Sequence, residues 1–401
     1  MGRASGVIGR WGVVTSLLLL IATLPARADV TTDRGSSILI FPKLLFDSQG
    51  ILPNGRPVDT IIQISNKSNQ LVFAHCFYIN TVPADPTRPA SATNPSQWTE
   101  VDFGLLVLTK QQPTYWQISS GRRIEPDPLC SRTVRDCNNA GFDPGAVPPV
   151  NSDPFVGELR CIETDSTGAP LNGNHLKGEA TIVTKDDNDA SKYNAIGVIG
   201  LNTDTGPNNG DNTLCLGGGT SEQCPTGAEY NACPQTLILT HYAECNDDPS
   251  RSCAATDPVI EEIGSGPSQV VTELTLVPCS EDYEQQAPQS VTVQFAITNE
   301  FEQSFSTSTT VTCWGNFRLN TIGPVGRIFE ISTLGSRFAQ TRIFAPGTDA
   351  SGGARGGLVG VVEEFHRAPR TSPTPSVGRA AFNLFVEGQR PNADLIVMPE
   401  Q

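Results

Sequence analysis

Residues 290–314 read SVTVQFAITNEFEQSFSTSTTVTCW, and this stretch decides the fold class. Val291, Val293, Phe295 and Ile297 fall on one parity, with Thr, Gln and Ala between them, the two-residue period of a strand with one face buried. Asn299 and Glu300 interrupt the run. After Phe305 the chain carries only Ser and Thr from Ser306 to Thr310, which suits a partner strand with a wet face. Working outward, short β-type runs punctuated by Gly, Pro, Asn and Asp recur along the chain. Among them are Ser37–Phe41, Asp59–Ser65, Leu71–Asn80, Thr99–Thr109, Tyr115–Ser119, Glu158–Glu163, Gly178–Lys185, Thr236–Tyr242, Val270–Val277, Arg327–Ser332, Phe338–Phe344, Leu358–Phe365 and Arg379–Val386. No window holds a 3.6-residue apolar period over three turns. An all-β fold follows, and many short strands separated by turns point to sandwiches or a barrel.

Composition agrees. The 401 residues include 37 Gly and 31 Pro, and only 17% are charged, below the roughly 25% of a typical soluble domain. With 27 Lys and Arg against 42 Asp and Glu, the formal net charge is −15, which excludes a phosphate-neutralising nucleic-acid binder. The length exceeds the usual domain mode of roughly 100–150 residues. Two sandwich domains are therefore expected, residues 29–260 and 261–401, meeting near Gly264-Ser265-Gly266-Pro267. Two long loops, Gly121–Pro154 and Asn202–Pro234, are expected to be pinned by disulfides.

The first 28 residues read as a secretory signal peptide. Arg3 and Arg10 precede the apolar run Gly12–Leu24, and Ala26-Arg27-Ala28 offers small residues at a cleavage site. The apolar run is too short to span roughly 30 Å of hydrocarbon. Cleavage would remove three Arg and no acid, leaving 24 bases against 42 acids. Export to the periplasm or the exterior is the expectation, with no transmembrane segment in the mature chain.

Export makes disulfides the expected state of the 11 Cys, and the odd count leaves at least one outside an internal pair. Local closure suggests Cys130 with Cys137, Cys245 with Cys253, and two of Cys215, Cys224 and Cys233. Cys279 and Cys313 end two expected strands and are candidates to join across a sandwich. There is no C-x2-C, and the one close His–Cys pair with a helical-type spacing, His241 and Cys245, is expected in a loop region.

Two segments echo one another. Ile64-Ser65-Asn66 leads into a strand ending Cys76-Phe77, and Ile297-Thr298-Asn299 into one ending Cys313-Trp314. SILIFP at Ser37–Pro42, DTIIQISNKSN at Asp59–Asn69 and LVFAHCFYIN at Leu71–Asn80 resemble the opening strands of bacterial immunoglobulin-like domains, including those of periplasmic pilus-assembly chaperones. The resemblance implies two immunoglobulin-like antiparallel β-sandwich domains. It covers about 45 residues, and the chaperones' basic groove and subunit-binding strand have no counterpart, so no chaperone activity is carried over. The chain as a whole looks like an uncharacterised family of secreted bacterial β-rich proteins, which implies export but no activity.

Searching for chemistry yields little. The chain has no G-x-S-x-G elbow, no H-E-x-x-H and no G-x-x-x-x-G-K. His75, in an apolar strand, reads as a packed, hydrogen-bonded histidine. Glu364 and His366, two apart on a strand, share a face. Calcium is the leading ligand hypothesis, since it takes six to eight oxygens from Asp, Asn and carbonyls in turning loops. Its candidate ligands are Asp187 and Asp189 in one loop and Asp204, Asn208 and Asp211 in another. Trp98, Tyr115, Trp116 and Trp314 are either inter-sheet core or a glycan-stacking platform. The expected function is a secreted, non-enzymatic structural or adhesive protein with a protein or glycan partner. The alternatives are an extracellular carbohydrate hydrolase using paired carboxylates, or a Ca2+- or glycan-binding module.

Overall fold

The structure, a computed structural model, describes residues 30–53, 55–88, 90, 93–122, 146–185, 189–201, 212–244, 262–263, 266–267, 269–323, 327–346, 356–367 and 377–400. Among these it is all-β, built from several small sheets, and the larger sheets form a four-bladed, propeller-like ring. The strands of a blade are not consecutive in the chain, so the likeness to a propeller is one of arrangement and not of strand order.

Sheet A runs, edge to edge, Val30–Thr31, Ile196–Val198, Ile38–Phe46, Phe155–Thr164, Val72–Asn80, Thr99–Leu108. Sheet B runs Pro113–Gln117, Val58–Asn66, Leu176–Thr184, Asp189–Asn194. Sheet C runs Gly315–Arg318, Gln269–Pro278, Leu358–Arg367, Val377–Asn383. Sheet D runs Ser304–Thr312, Ser290–Asn299, Phe338–Phe344, Pro234–Tyr242, Phe385–Gln389. A small sheet E joins Thr213–Leu216, Asp394–Val397 and Glu281–Asp282, and its last pairing is the one parallel strand pairing among the described residues.

Alternation along the strands sorts the side chains into three cores. Leu39 and Phe41 of sheet A meet Ile62, Ile64 and Ile182 of sheet B in the first. Phe41 lies directly over Gly178, where an added Cβ would come within 2.5 Å of the ring, so the close approach of the two sheets depends on that glycine. Ile38, Ile40, Phe77, Ile79 and Ile162 point to the other side of sheet A and join Leu214, Leu216 and Ile396 of sheet E in a second core. Sheet A is thus buried on both faces, which is why its central strands read as unbroken apolar runs. Leu274, Leu276 and Val362 of sheet C face Leu239, Val293, Phe295 and Ile297 of sheet D in the third. The parity read from Val291 to Ile297 holds: all four side chains are buried.

The two echoed asparagines do the same work at their own strands. Asn66 accepts from Ser68 N and donates to Gln70 O and Thr109 O, and Asn299 accepts from Phe301 N and Gln303 N and donates to Leu334 O. Both are side chains closing an Asx turn. The outcomes differ, because Asn299 closes a hairpin inside sheet D whereas Asn66 leads from sheet B into sheet A.

Other expectations change. Arg327–Ser332 is not a strand; a turn leads into the short helix Ile331–Leu334, which Gly335 ends with φ 63°. Thr213–Leu216, inside the expected Asn202–Pro234 loop, is a strand, since four residues are too few to show a period. Thr213–Leu216 and Pro234–Tyr242, both before residue 260, lie in ladders with strands from beyond residue 330. Cys215 does pair with Cys224. Cys279 bonds Cys233 and not Cys313, whose thiol is free and buried. Cys313 sits at φ 60° where the chain turns out of the Ser304–Thr312 strand. Cys76 and Cys161, register partners on neighbouring strands of sheet A, form a third disulfide. Cys130, Cys137, Cys245 and Cys253 lie outside the described residues, as does the expected signal peptide.

Candidate functional site: two buried charge clusters

The first cluster grows from a register shift. Strand Ile38–Phe46 pairs regularly up to Phe41 and resumes at Leu44, leaving Pro42 and Lys43 out of the ladder. Trp314 Nε1 donates to Pro42 O at 2.7 Å, and Tyr193 Oη donates to Lys43 O at 2.6 Å. Lys43, 1% exposed, reaches from sheet A to two carboxylates of sheet C, Glu273 at 2.8 Å and Glu363 at 2.6 Å. It also donates to Asn316 Oδ1 at 3.3 Å. Arg379 Nε and Ser191 Oγ donate to the remaining oxygen of Glu363 at 2.8 and 2.6 Å. Arg318 Nε stands 3.8 Å from the other oxygen of Glu273, so sheets A, B and C are tied through one knot of two carboxylates and three cations. Burial alone would raise the Glu273 carboxyl, but the charge and hydrogen bond of Lys43 outweigh it and hold the carboxyl at about 2. Glu363 is lowered in the same way, against its burial, by Lys43 and Arg379.

The second cluster lies on the other face of sheet A. Register places Glu100 and Glu158 on either side of Ile79, and Asp102 and Arg160 on either side of Phe77. Arg160 is wholly buried, and its guanidinium donates to Glu158 at 3.1–3.2 Å, to Cys279 O at 2.8 Å and to Pro278 O at 2.5 Å. Those two carbonyls end the Gln269–Pro278 strand, so the next residues fold down over the cluster. Tyr283 stacks on Phe77 with centroids 4.0 Å apart, and Glu281 comes within 3.7 Å of Arg160.

Here charge is not balanced. Glu158 and Glu281 flank one arginine, and Glu100 lies across Ile79 from Glu158. Among the described residues, neither Glu281 side-chain oxygen has a hydrogen-bond partner, nor have Tyr283 Oη and Glu100 Oε2. Burial pushes Glu281 well above the carboxylate range; Arg160 opposes this, while Glu158 and Glu100 add to it. Burial, helped by Asp102, lifts Glu100 to about 8. The free Cys313 thiol is raised by burial and by the charges of Glu281 and Glu158, which makes it a poor nucleophile.

The residues singled out from sequence meet varied fates. Asp187, Asp204, Asn208 and Asp211 lie outside the described residues, and Asp189 opens strand Asp189–Asn194 opposite Thr184. His75 is packed against Phe77 and hydrogen-bonds Asp102, as expected. Glu364 and His366 do share a face, 3.7 Å apart and half-buried. His241 lies on a strand, not in a loop, with its ring nitrogens engaged by Thr341 Oγ1 and Tyr242 O; burial lowers it to about 4. The aromatics form no platform: Trp116 is buried with Nε1 donating to Tyr78 Oη, while Tyr115, its strand neighbour, faces outward. Trp98 and Trp314 pack against the second core. One metal-like group, Cys233, Cys279 and Asp394, has both sulfurs committed to a disulfide.

Sequence reasoning missed both clusters. Glu158-Leu159-Arg160 alternates like any strand with a wet face, and only the segment 120 residues later shows that this face is covered. No protein-family model matches the chain, and no curated protein matches it.

Proposed function

We propose that the chain is an exported, disulfide-braced structural protein that assembles edge to edge at the bacterial envelope or outside it. The three disulfides and the absence, among the described residues, of a helix able to cross a membrane are compatible with export. The cores shared by sheets A and B and by sheets C and D support reading the two pairs as immunoglobulin-like sandwiches.

The observation that carries the reading is the edge of sheet D. Strand Ser304–Thr312 is nine residues long, pairs among the described residues only with Ser290–Asn299, and contains no charged residue and no proline. Sheet edges are ordinarily blunted by charge, proline or brevity, and an unblunted edge is a template for another strand. A second copy is the occupant that fits. Antiparallel self-pairing about Ser308 sets Phe305 against Val311 and Thr307 against Thr309 on the inner face, and Ser or Thr against Ser or Thr on the outer. Two exported chains, each with 24 bases against 42 acids, would then meet where neither has charge.

Sedimentation of the native protein tests this. A dimer is expected, and Ser308→Lys, which places two ammonium groups opposite one another, should give a monomer. Thr292→Lys, one strand further in, should leave the dimer intact. A native chain that stays monomeric throughout the micromolar range overturns the reading, as does a Ser308→Lys dimer.

A further inference from the structure

The outer face of sheet B carries a groove that neither the charge knots nor the edge of sheet D uses. Alternation sends Trp116, Ile62, Ile64, Ala180 and Ile182 into the first core, so the residues between them point to the opposite, solvent side. Register fixes their neighbours. Gln63 lies between Tyr115 and Glu179, and two residues further along the strand Ser65 lies between Pro113 and Lys177. Neighbours across strands are about 5 Å apart and the two rows about 7 Å apart, so Tyr115 and Lys177 stand at opposite corners of a patch about 10 Å wide. These side chains and Arg122 line a groove of about 320 Å3, within the roughly 300–1,000 Å3 of small-ligand pockets.

Three features define what fits there. Tyr115 is 65% exposed, an aromatic wall on which the C–H face of a sugar ring can rest. Gln63 and Ser65, on the central strand, offer amide and hydroxyl groups that both donate and accept, as sugar hydroxyls do. The local charge is positive in a chain whose net charge is −15. Arg122 and Lys177 line the groove, and Glu179, its one lining carboxylate, is engaged by Lys192 of the next strand. Asp33 acts on both Arg34 and Lys177, and with these included the charges are Arg34, Arg122, Lys177 and Lys192 against Asp33 and Glu179. Arg122 Nη1 donates to Thr114 Oγ1 at 3.1 Å, which ties the guanidinium to the strand that carries Tyr115. A peptide adding as a strand would instead need a clean sheet edge, and Pro113 blunts the edge on this side of sheet B.

We propose that this groove binds a uronic acid residue of an acidic polysaccharide, with the ring on Tyr115 and the carboxylate at Arg122 and Lys177. The site is separate from the self-pairing edge of sheet D, so either reading can fail without the other.

Calorimetric titration of the native chain with an oligomer of galacturonic acid in dilute buffer tests this. Saturable binding is expected, which an equally long neutral galactose oligomer does not show. Tyr115→Ala should weaken it about five- to tenfold through the lost stack. Lys177→Gln should weaken it about fivefold, and by less as salt rises. Both side chains point away from the first core, so both variants should keep the native melting temperature. A native chain that does not bind the acidic oligomer, equal binding of the neutral one, or an affinity unchanged in either variant overturns the proposal. So does an oligoglutamate of equal charge that displaces the oligosaccharide equally well, because the groove would then read charge alone.

Discussion

Sheet A carries a buried charge knot on each face, and the two are solved in opposite ways. At Lys43 two carboxylates are met by a lysine from sheet A and two arginines, Arg379 and Arg318, from sheet C, and both are held below their ordinary range. At Arg160 two carboxylates, Glu158 and Glu281, share one guanidinium with Glu100 nearby, and all three are pushed up. Glu281 and Glu363 are equally deep, at 0 and 1% exposure, and shift in opposite directions, so for that pair partner count and not depth decides the sign. A knot with cations enough fastens sheets as it stands, whereas one short of cations is relieved by a proton.

The largest effect should come from removing the central cation of the Lys43 knot. Lys43→Met leaves the buried Glu363 with Arg379 alone and Glu273 with Arg318 at 3.8 Å, and urea denaturation should show a loss of about 3–5 kcal/mol. A loss below about 1 kcal/mol would mean the two knots differ less than their geometry says. Next, removing Cys233–Cys279 opens a closed stretch of 46 residues beside the carbonyl that Arg160 holds. The double Ala variant should lose about 4 kcal/mol, against about 2.6 for Cys215–Cys224, whose separation is 9.

The pH profile sharpens the contrast through its two arms. Glu273 is lowered in the folded state, so its contribution is present above about 4.5 and is lost as pH falls toward 2. Glu281 and Glu100 are raised, so their contribution is complete below about 4.5 and fades as pH climbs; for Glu100 the fading runs to about 8. Melting temperatures should therefore drop at both ends, Glu273→Gln removing the acid arm and Glu281→Gln flattening the neutral one. The smallest change is expected from Glu100→Gln, under about 1 kcal/mol at pH 7, since Glu100 is partly exposed.

How much of this was written locally can be judged from particular residues. The alternation in Ser290–Asn299 states its own buried face, and the Asn turns after Ile64-Ser65 and Thr298 announce themselves. Cys215 and Cys224 found each other because they are near in the chain. Cys76 and Cys161 are 85 residues apart and meet only once the register of two strands is set. Nothing in SILIFP says that both faces of the strand are covered, because the second cover, Leu214 and Ile396, comes from 170 residues or more downstream. The charge knots were invisible for the same reason: Lys43 is completed at Glu273 and Glu363, and Arg160 at Cys279 and Glu281.

The interleaving of strands also sets a schedule. Thr213–Leu216 finds its ladder only in Asp394–Val397, and Pro234–Tyr242 lies between Phe338–Phe344 and Phe385–Gln389. A chain emerging from its N-terminus, from a ribosome or through a membrane, can shape sheets A and B from residues 30–198 but leaves the second face of sheet A incompletely covered until Asp394–Val397 arrives. During that interval Ile38, Ile40, Phe77 and Ile79 lack Ile396 and Met398 beside them, and a chain halted before residue 394 would stay in that sticky, half-dressed condition. Asp394–Val397 is the latch that closes this core.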